Sequence, residues 1–400
     1  MHSPAANPLA KALRCALILT TESIEMNAGD VIEIKIERMS YGLNAVGRFS
    51  ETPSSKPIVV FVPFVAPQDK VKVKLKENHK NYWTAELVDI LEASPLRIKP
   101  PCPVFGKCGG CQWQHLSYEE QVRQKAEILL HQIKRVAPTY DLYEKLKIHP
   151  AKNPFHYRSR VQVHGDKNGI GFYLSGSHAI AYTNECLVLD PSLQEAWKSF
   201  NQTHSLQELS QPTGQFKVGW AKSQSGEVLE AINRKHAAFG FSQVNLEQNK
   251  ILVEVVTKLA MGSKDKNLLL DLYSGSGNLS QNLNQVFKKV LCVDFNKDQS
   301  HSPTFIQQDA KEFLLGQYWK EYGPNVDCVI VDPPREGLLG VSALLLEMKA
   351  PALILVSCDP ATLARDLQIL QKDYQIQEIH LIDMFPQTYH IESIVFCVQN

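Results

Sequence analysis

No stretch of this chain stays apolar for the ~18–20 residues that a membrane-spanning helix requires. Net charge is also missing, because 42 Lys and Arg balance 42 Asp and Glu. A uniformly positive coat is therefore excluded, although a local basic face able to hold phosphates is not. Cysteine is sparse and odd in number, nine in 400 residues, which excludes a disulfide scaffold. No internal repeat and no low-complexity block is visible, so a solenoid is out. The N-terminus carries a short apolar stretch over 12–20, but no basic n-region and no small-residue cleavage site. A secretory signal is a poor reading, and the expected compartment is the cytoplasm, with reduced thiols. No membrane and no obligate protein partner is implied.

What is present is ordinary for a globular chain: 44% hydrophobic and 21% charged residues. Its length is too great for one compact core, so two or three domains are expected. Residues 1–25 read as a disordered leader or an over-extended start. From 26 to 92 several short segments alternate apolar and polar residues around turn signals, the pattern of a small OB-like β-barrel. Lys70, Lys72, Lys74 and Lys76 fall on one face of a strand there; they read either as a solvated face or as an RNA-contacting edge. From 93 to 235 the chain reads as a central α+β domain. It opens on a Pro-, Gly- and Cys-rich stretch over 94–113, followed by a helix from Ser117 with a capping box completed by Glu120. Between 94 and 190 thirteen Lys and Arg stand against eight Asp and Glu. The segment 155–164 interleaves Arg158 and Arg160 with aromatic residues, which suits phosphate and base contacts as well as a plain half-buried strand. From 236 to 400 apolar strands alternate with helical patterns, giving an α/β, doubly wound, Rossmann-like domain with a largely parallel sheet.

Four motifs in that last block carry chemistry. Asp271-Leu-Tyr-Ser-Gly275-Ser-Gly277-Asn278 reads as a strand, a tight glycine turn and the start of a helix. Asp294 ends the next strand, where a carboxylate can accept from two ribose hydroxyls, and Asp309 ends a third, near an adenine position. Strand, glycine loop, acid, acid is the pattern of S-adenosylmethionine binding. Val331-Asp332-Pro333-Pro334-Arg335 places a rigid loop at a strand's carboxyl end, where α/β ligands bind. Ser357-Cys358-Asp359-Pro360 places Cys358 on a strand-to-helix turn, with Asp359 as N-cap and Pro360 at the first helical position. A helix N-terminus there favours a thiolate, whereas Cys292, Cys328 and Cys397 lie inside apolar strands as inert core residues. Last, Asp383-Met-Phe-Pro-Gln-Thr-Tyr-His390-Ile-Glu392 makes a short connection into an antiparallel final strand. That hairpin returns Glu392, and as a lesser base His390, to the edge occupied by Asp332 and Cys358. Further upstream, Cys102, Cys108 and Cys111 are spaced Cys-x5-Cys-x2-Cys, with Cys186 distant in sequence. Four thiolates suit either an iron–sulfur cluster or zinc.

These motifs, D-P-P-R, S-C-D-P-A-T-L-A-R-D and D-M-F-P-Q-T-Y-H-I-E, resemble the RNA 5-methyluridine methyltransferase family, and the resemblance runs from about residue 26 to the end. It implies a Cys358 nucleophile that attacks carbon 6 of a uridine and a Glu392 base that removes the carbon 5 proton. Phe241-Ser-Gln243-Val-Asn245 also matches a family motif. By that match Gln243, Tyr273, Asn278, Asp294, Asp309 and Asp332 are implied S-adenosylmethionine or site residues. The barrel is similar to a TRAM domain. The family's cluster-bearing members carry the same cysteine spacing, which implies a [4Fe-4S] cluster on Cys102, Cys108, Cys111 and Cys186, expected to be structural and away from the sheet edge. RNA is the implied partner, 23S rRNA ahead of tRNA. One departure is Asp359, where the family more often has Asn; a second acid beside the thiolate is expected to raise its pKa, with Arg365 as the offset. Two alternatives remain. An RNA 5-methylcytosine methyltransferase would more typically carry a cysteine in the Asp332 loop. A redox-sensing RNA-binding protein would keep a degenerate methyltransferase fold.

Overall fold

The computed structural model describes residues 26–50, 56–138, 141–211, 213–223, 225–234, 243–296, 304–322 and 325–400. The leader assigned to 1–25 lies outside the described residues. Five strands, β1 (Val31–Met39), β2 (Asn44–Phe49), β3 (Ile58–Pro63), β4 (Lys70–His79) and β5 (Tyr82–Glu92), close into a barrel in the order β1-β2-β3-β5-β4. Alternation drives the closure: Ile34, Ile36, Val71, Val73 and Leu75 are buried inside while their neighbours face out. The lysine face of β4 is a charged ladder and not a free cationic edge. Lys70 approaches Glu33 and Glu92 at 3.9 and 3.4 Å, Lys76 pairs with Glu86 at 2.5 Å, and Lys72 stands in register with Glu33 and Asp89. The acids of the flanking strands neutralise it.

After the barrel come α1 (Tyr118–Lys134), the short α2 (Leu142–Lys145) and β6 (Leu146–His149). The N-terminus of α1 forms half of a capping box. Glu120 N–H donates to Ser117 Oγ at 3.3 Å, but the Glu120 carboxylate turns away to Arg123 and Gln124. A second sheet, β7 (Arg160–Asp166), β8 (Gly169–Tyr173), β9 (Ile180–Tyr182), β10 (Phe216–Lys222) and β11 (Val228–Ile232), runs in the order β11-β10-β7-β8-β9. Helix α3 (Pro191–Thr203) and the short α4 (Leu206–Leu209) accompany it. Trp197 and Phe200 of α3 bury their rings against Trp220 of β10. The arginines of 155–164 do not form an open phosphate surface: Arg160 is 6% exposed, and Arg158 Nε folds back onto the Arg160 carbonyl at 3.1 Å.

The third unit begins with α5 (Leu246–Met261) and continues through β12 (Leu268–Leu272), β13 (Lys289–Asp294), β14 (Phe305–Gln307), α6 (Ala310–Leu315), β15 (Cys328–Val331), α7 (Ser342–Met348), β16 (Ala352–Ser357), α8 (Pro360–Leu370), β17 (Tyr374–Ile382) and β18 (Glu392–Gln399). Its sheet order is β14-β13-β12-β15-β16-β18-β17-β6. Every neighbouring pair is parallel except those of β18, which runs antiparallel between β16 and β17. The strand order reverses at β12 and β15, the switch point where such sheets bind ligands. Strand β6 comes from the segment read as central, yet it pairs with β17. It covers an edge that would otherwise present unpaired backbone groups. The stretch 274–282 also differs from the expected helix. It runs as turns, and one 3-10 turn follows over Leu283–Gln285, so no α-helix N-terminus points at the glycine loop.

The units are joined by buried polar contacts. Lys125 of α1, fully buried, places its Nζ 2.6 Å from Asp383 Oδ1 and 2.9 Å from the Phe385 carbonyl. Tyr118 donates to the other Asp383 oxygen at 2.7 Å. Replacing Lys125 with Met leaves Asp383 buried without its cation, so destabilisation of about 3–5 kcal/mol is expected. A thermal melt should drop for that variant and recover in part when Asp383→Asn is added. Equal melting of Lys125→Met and wild type would show that the pair is not anchoring the loop.

Candidate active site

The sheet assembles the site at the carboxyl ends of its central strands. Asp332 follows β15, Cys358 follows β16, and Glu392 opens β18. In the antiparallel register of β16 and β18, Ser357 pairs with Ser393. One step further along, Cys358 falls opposite Glu392. Burial and the charge of Asp332 hold the Glu392 carboxyl well above its usual range. Burial pushes Asp332 up to about 6. Burial, then Glu392, then Asp332 push the Cys358 thiol up to about 11, against the opposing pull of Arg335. The turn was expected to favour a thiolate; the two acids and burial outweigh it. The Asp359 Oδ1 caps α8, accepting from Ala361 and Thr362 N–H at 2.9 and 3.0 Å. Arg365 binds Asp366 and the Glu336 carbonyl. His390 is held down near 4, first by burial and then by Arg335, Lys125 and Arg158. A base that weak is a poor match to neutral pH, which separates it from Glu392.

The glycine loop lies across the switch point. Tyr273, Gly275 and Gly277 all adopt positive φ, at 61°, 53° and 76°. Asp294 Oδ2 accepts from Gly275 N–H at 2.9 Å, and its Oδ1 accepts from Asn296. The Asp309 side chain caps α6, 2.9 and 3.1 Å from the N–H groups of Lys311 and Glu312. Asn278 is differently engaged from the expectation: its amide exchanges two hydrogen bonds with Asn249 of α5, at 2.9 and 3.0 Å. It fastens α5 to the loop. Ser159 holds the backbone of Gln243 and Val244, with N–H to the Val244 carbonyl at 2.8 Å. Phe241 and Ser242 lie outside the described residues. Two buried polar atoms of the loop lack a protein partner, Asp271 Oδ1 and Ser274 Oγ. Burial lifts Asp271 to about 7, with Asp332 and Asp294 adding to it and the Ser280 hydroxyl at 2.6 Å opposing. An unpartnered carboxylate oxygen under a glycine loop is a ready acceptor for a cationic ligand. Sequence reading passed over Asp271, although its position at the end of an apolar strand was the signal.

The four cysteines outside the sheet come together. Cys102, Cys108, Cys111 and Cys186 line one cavity of about 170 Å³ with Arg158 and Phe172. None of the eight described cysteines is in a disulfide. Burial pushes Cys111 up to about 12 and Cys186 to about 11, each raised further by the other cysteines of the group. Arg158 pulls Cys108 and Cys186 the other way. Among the described residues no three His, Cys, Asp or Glu side chains converge as ligands of a single metal ion. From sequence this loop was expected to lie away from the sheet edge, but it does not. The N–H groups of Gln112 and Trp113 both donate to the Gln387 carbonyl at 3.0 Å, and Gln387 lies five residues before Glu392.

Strand order, switch-point glycine loop and strand-end acids define a doubly wound methyltransferase fold. Residues 307–400 match the family described as tRNA (Uracil-5-)-methyltransferase, and residues 26–88 match the TRAM domain. An RNA methyltransferase of Bdellovibrio bacteriovorus, itself uncharacterized, is 31% identical over 392 residues, covering 92% of this chain and 94% of that one. One from Aquifex aeolicus is 30% identical, covering 91% and 97%. The solved Pyrococcus abyssi tRNA (uracil-54, C5)-methyltransferase, in complex with S-adenosyl-L-homocysteine, shares the fold at a TM-score of 0.65 and 24% identity, over 91% of this chain and 99% of that one. The chain belongs to the RNA 5-methyluridine methyltransferase family, and it is an RNA methyltransferase. No helix among the described residues is long and apolar enough to cross a membrane.

The electrostatics of Cys358 give a direct test. Alkylation of Cys358, followed by peptide mass spectrometry, should accelerate with pH towards about 11 in the free enzyme. The Glu392 charge is one of the causes that hold the thiol up, so Glu392→Gln should move the profile to lower pH. A profile that does not move would mean that the two groups do not sense each other.

Proposed function

We propose that this chain transfers a methyl group from S-adenosylmethionine to carbon 5 of a uridine in RNA, with Cys358 as nucleophile and Glu392 as base. The observation that carries this reading is the register that sets Cys358 against Glu392 at one strand end, with Asp332 on the neighbouring strand. Carbon 5 of uracil is a poor nucleophile. Cys358 reacts as the thiolate, its proton released to solvent: the sulfur bonds to carbon 6, the ring electrons shift to an enolate, and carbon 5 becomes nucleophilic. S-adenosylmethionine supplies the methyl group as an electrophile. Glu392 then takes the proton from carbon 5, the sulfur–carbon 6 bond breaks, and the sulfur leaves with the bonding pair. Burial serves both residues. A thiolate of high pKa is the stronger nucleophile once formed, and a carboxylate of raised pKa is the stronger base. The target uridine must be unstacked or lie in a loop to reach these groups.

For S-adenosylmethionine the residues present fit. Asp294 would take the ribose hydroxyls, Asp309 and Tyr273 the adenine side, and Gln243 and Asp332 the methionyl side. The unpartnered Asp271 Oδ1 and Ser274 Oγ would complete the cradle. Asn278 would act through α5. The four thiols around one cavity fit a [4Fe-4S] cluster held by Cys102, Cys108, Cys111 and Cys186 better than a lone zinc ion, whose four sulfurs must converge at ~2.3 Å. Such a cluster would supply cross-linking of a Pro/Gly-rich loop and no step of the reaction. We place the enzyme in the cytoplasm, with 23S rRNA ahead of tRNA as its substrate.

Two measurements test this reading. With S-adenosylmethionine and RNA, Glu392→Gln should stall after methyl transfer and give a shifted protein–RNA band on a denaturing gel. Cys358→Ala should give neither band nor methylated nucleoside. Normal turnover by Cys358→Ala would end the covalent mechanism. Separately, protein purified without oxygen should be brown and carry iron with acid-labile sulfide; stoichiometric zinc without sulfide would replace the cluster by a zinc site.

A further inference from the structure

The barrel reaches the active site through Tyr41. Tyr41 lies in the β1–β2 turn, closed by Ser40 N–H and Oγ donating to the Asn44 carbonyl at 3.0 and 2.6 Å. Gly42 follows at φ +122°, a conformation that lets the chain double back at this point. The Tyr41 hydroxyl donates to the Cys358 carbonyl at 2.9 Å, across 317 residues of sequence. Its ring stands edge-on to Tyr389, with centroids 5.7 Å apart at 90°. Tyr389 belongs to the loop that delivers Glu392. One barrel residue therefore touches both the nucleophile turn and the base loop.

The Cys358 carbonyl has a reason to need that donor. Asp359 is the N-cap of α8, so Cys358 precedes the helix and its carbonyl is not an intrahelical acceptor. The Ser357 hydroxyl next to it is spent on the Asp359 backbone, at 3.0 and 3.2 Å. Fixing the Cys358 carbonyl fixes the peptide plane on which the side chain is mounted, and so the line of approach of Sγ. Burial, with Asp359 and Cys358, holds the phenol well above its usual range, so the hydroxyl stays a donor. The barrel itself is clamped to α1, where Gln124 Oε1 accepts from Met39 N–H at 2.9 Å, two residues before Tyr41.

We propose that Tyr41 is a positioning residue for the nucleophile, and that the barrel is thereby part of the catalytic apparatus and not only an RNA tether. This rests on the reading of Cys358 as the nucleophile. Tyr41→Phe keeps the ring against Tyr389 and removes only the hydroxyl, so the folded state is retained. Two readouts are expected to move. With S-adenosylmethionine and RNA carrying 5-fluorouridine, whose carbon 5 after methyl transfer offers Glu392 no proton, the covalent protein–RNA complex should form about tenfold more slowly at saturating RNA, the size of one lost hydrogen bond. The RNA concentration for half-maximal rate should stay within about twofold, since loss of one positioning contact acts on the transition state. Without RNA, the rate of iodoacetamide alkylation at Cys358, read by peptide mass spectrometry, should change between Tyr41→Phe and wild type. Equal rates in both assays would overturn the proposal while leaving the methyltransferase reading intact. A change confined to the RNA concentration dependence would overturn it too, making Tyr41 an RNA contact. If wild type forms no complex with the fluorinated RNA, the nucleophile reading fails, and with it the proposal, whatever the alkylation rates.

Discussion

A buried ammonium–carboxylate contact, Lys125 to Asp383, organises the functional end of this molecule. Both partners are removed from water, so neither can be satisfied except by the other and by the polar groups around them. Tyr118 supplies one such group and the Phe385 carbonyl another. Gln121 of the same helix adds a double contact to Gln387, through its Nε2 to Oε1 at 3.0 Å and its Oε1 from the Gln387 N–H at 2.9 Å. Tyr157 donates to the Pro386 carbonyl at 3.1 Å, and Asn245 to that of Met384 at 3.2 Å. The connection from β17 to β18 is thus held from outside its own sheet. It carries Gln387 at φ 69°, a conformation that a non-glycine residue keeps only when its surroundings impose it.

The consequence is a set of acids kept at unusual protonation. Asp271, Asp332 and Glu392 lie at the ends of β12, β15 and β18, the last two with β16 between them, and each is raised by burial. Burying carboxyl groups near one another disfavours their charged forms, which costs folding stability and makes each a stronger base than an exposed carboxylate. The cations nearby are few: Arg335 acts on Cys358, His390 and Tyr41 alike, from the exposed rim of the site.

The cysteine loop and the barrel both terminate on this same end. Gln112 and Trp113 lead directly from Cys111 to the Gln387 carbonyl. Tyr41 leads from the barrel to Cys358. Three units that could have been separate modules on a string instead converge on the turn and the loop that hold a thiol and a carboxylate.

Periodicity and motif spacing already determined much of this. Alternation over 31–92 was enough for a barrel, because side chains of a strand must sort between two faces. Apolar strands punctuated by Gly275, Asp332-Pro333 and Cys358-Asp359 were enough for a doubly wound sheet with acids and a cysteine at its carboxyl edge. The final hairpin was legible because only eight residues lie between Asp383 and Glu392, too few for a crossover helix. What sequence could not decide was which charges meet. The lysines from 70 to 76 suited an RNA edge as well as a solvated face until their neighbours across the strands proved to be acids, and Arg158 and Arg160 suited phosphate contacts as well as a half-buried strand until the sheet buried Arg160 and folded Arg158 onto its carbonyl. The pairing of Asn278 with Asn249 could not be read either, because the two stand on separate elements. The capacity of Cys358 to ionise is likewise a tertiary property. A helix start is local and can be read from Asp359-Pro360, but burial and the approach of Glu392 and Asp332 come from strands far apart in the chain. Lys125 and Tyr41 left no mark in any local pattern, because their roles exist only where separate parts of the fold exclude water together.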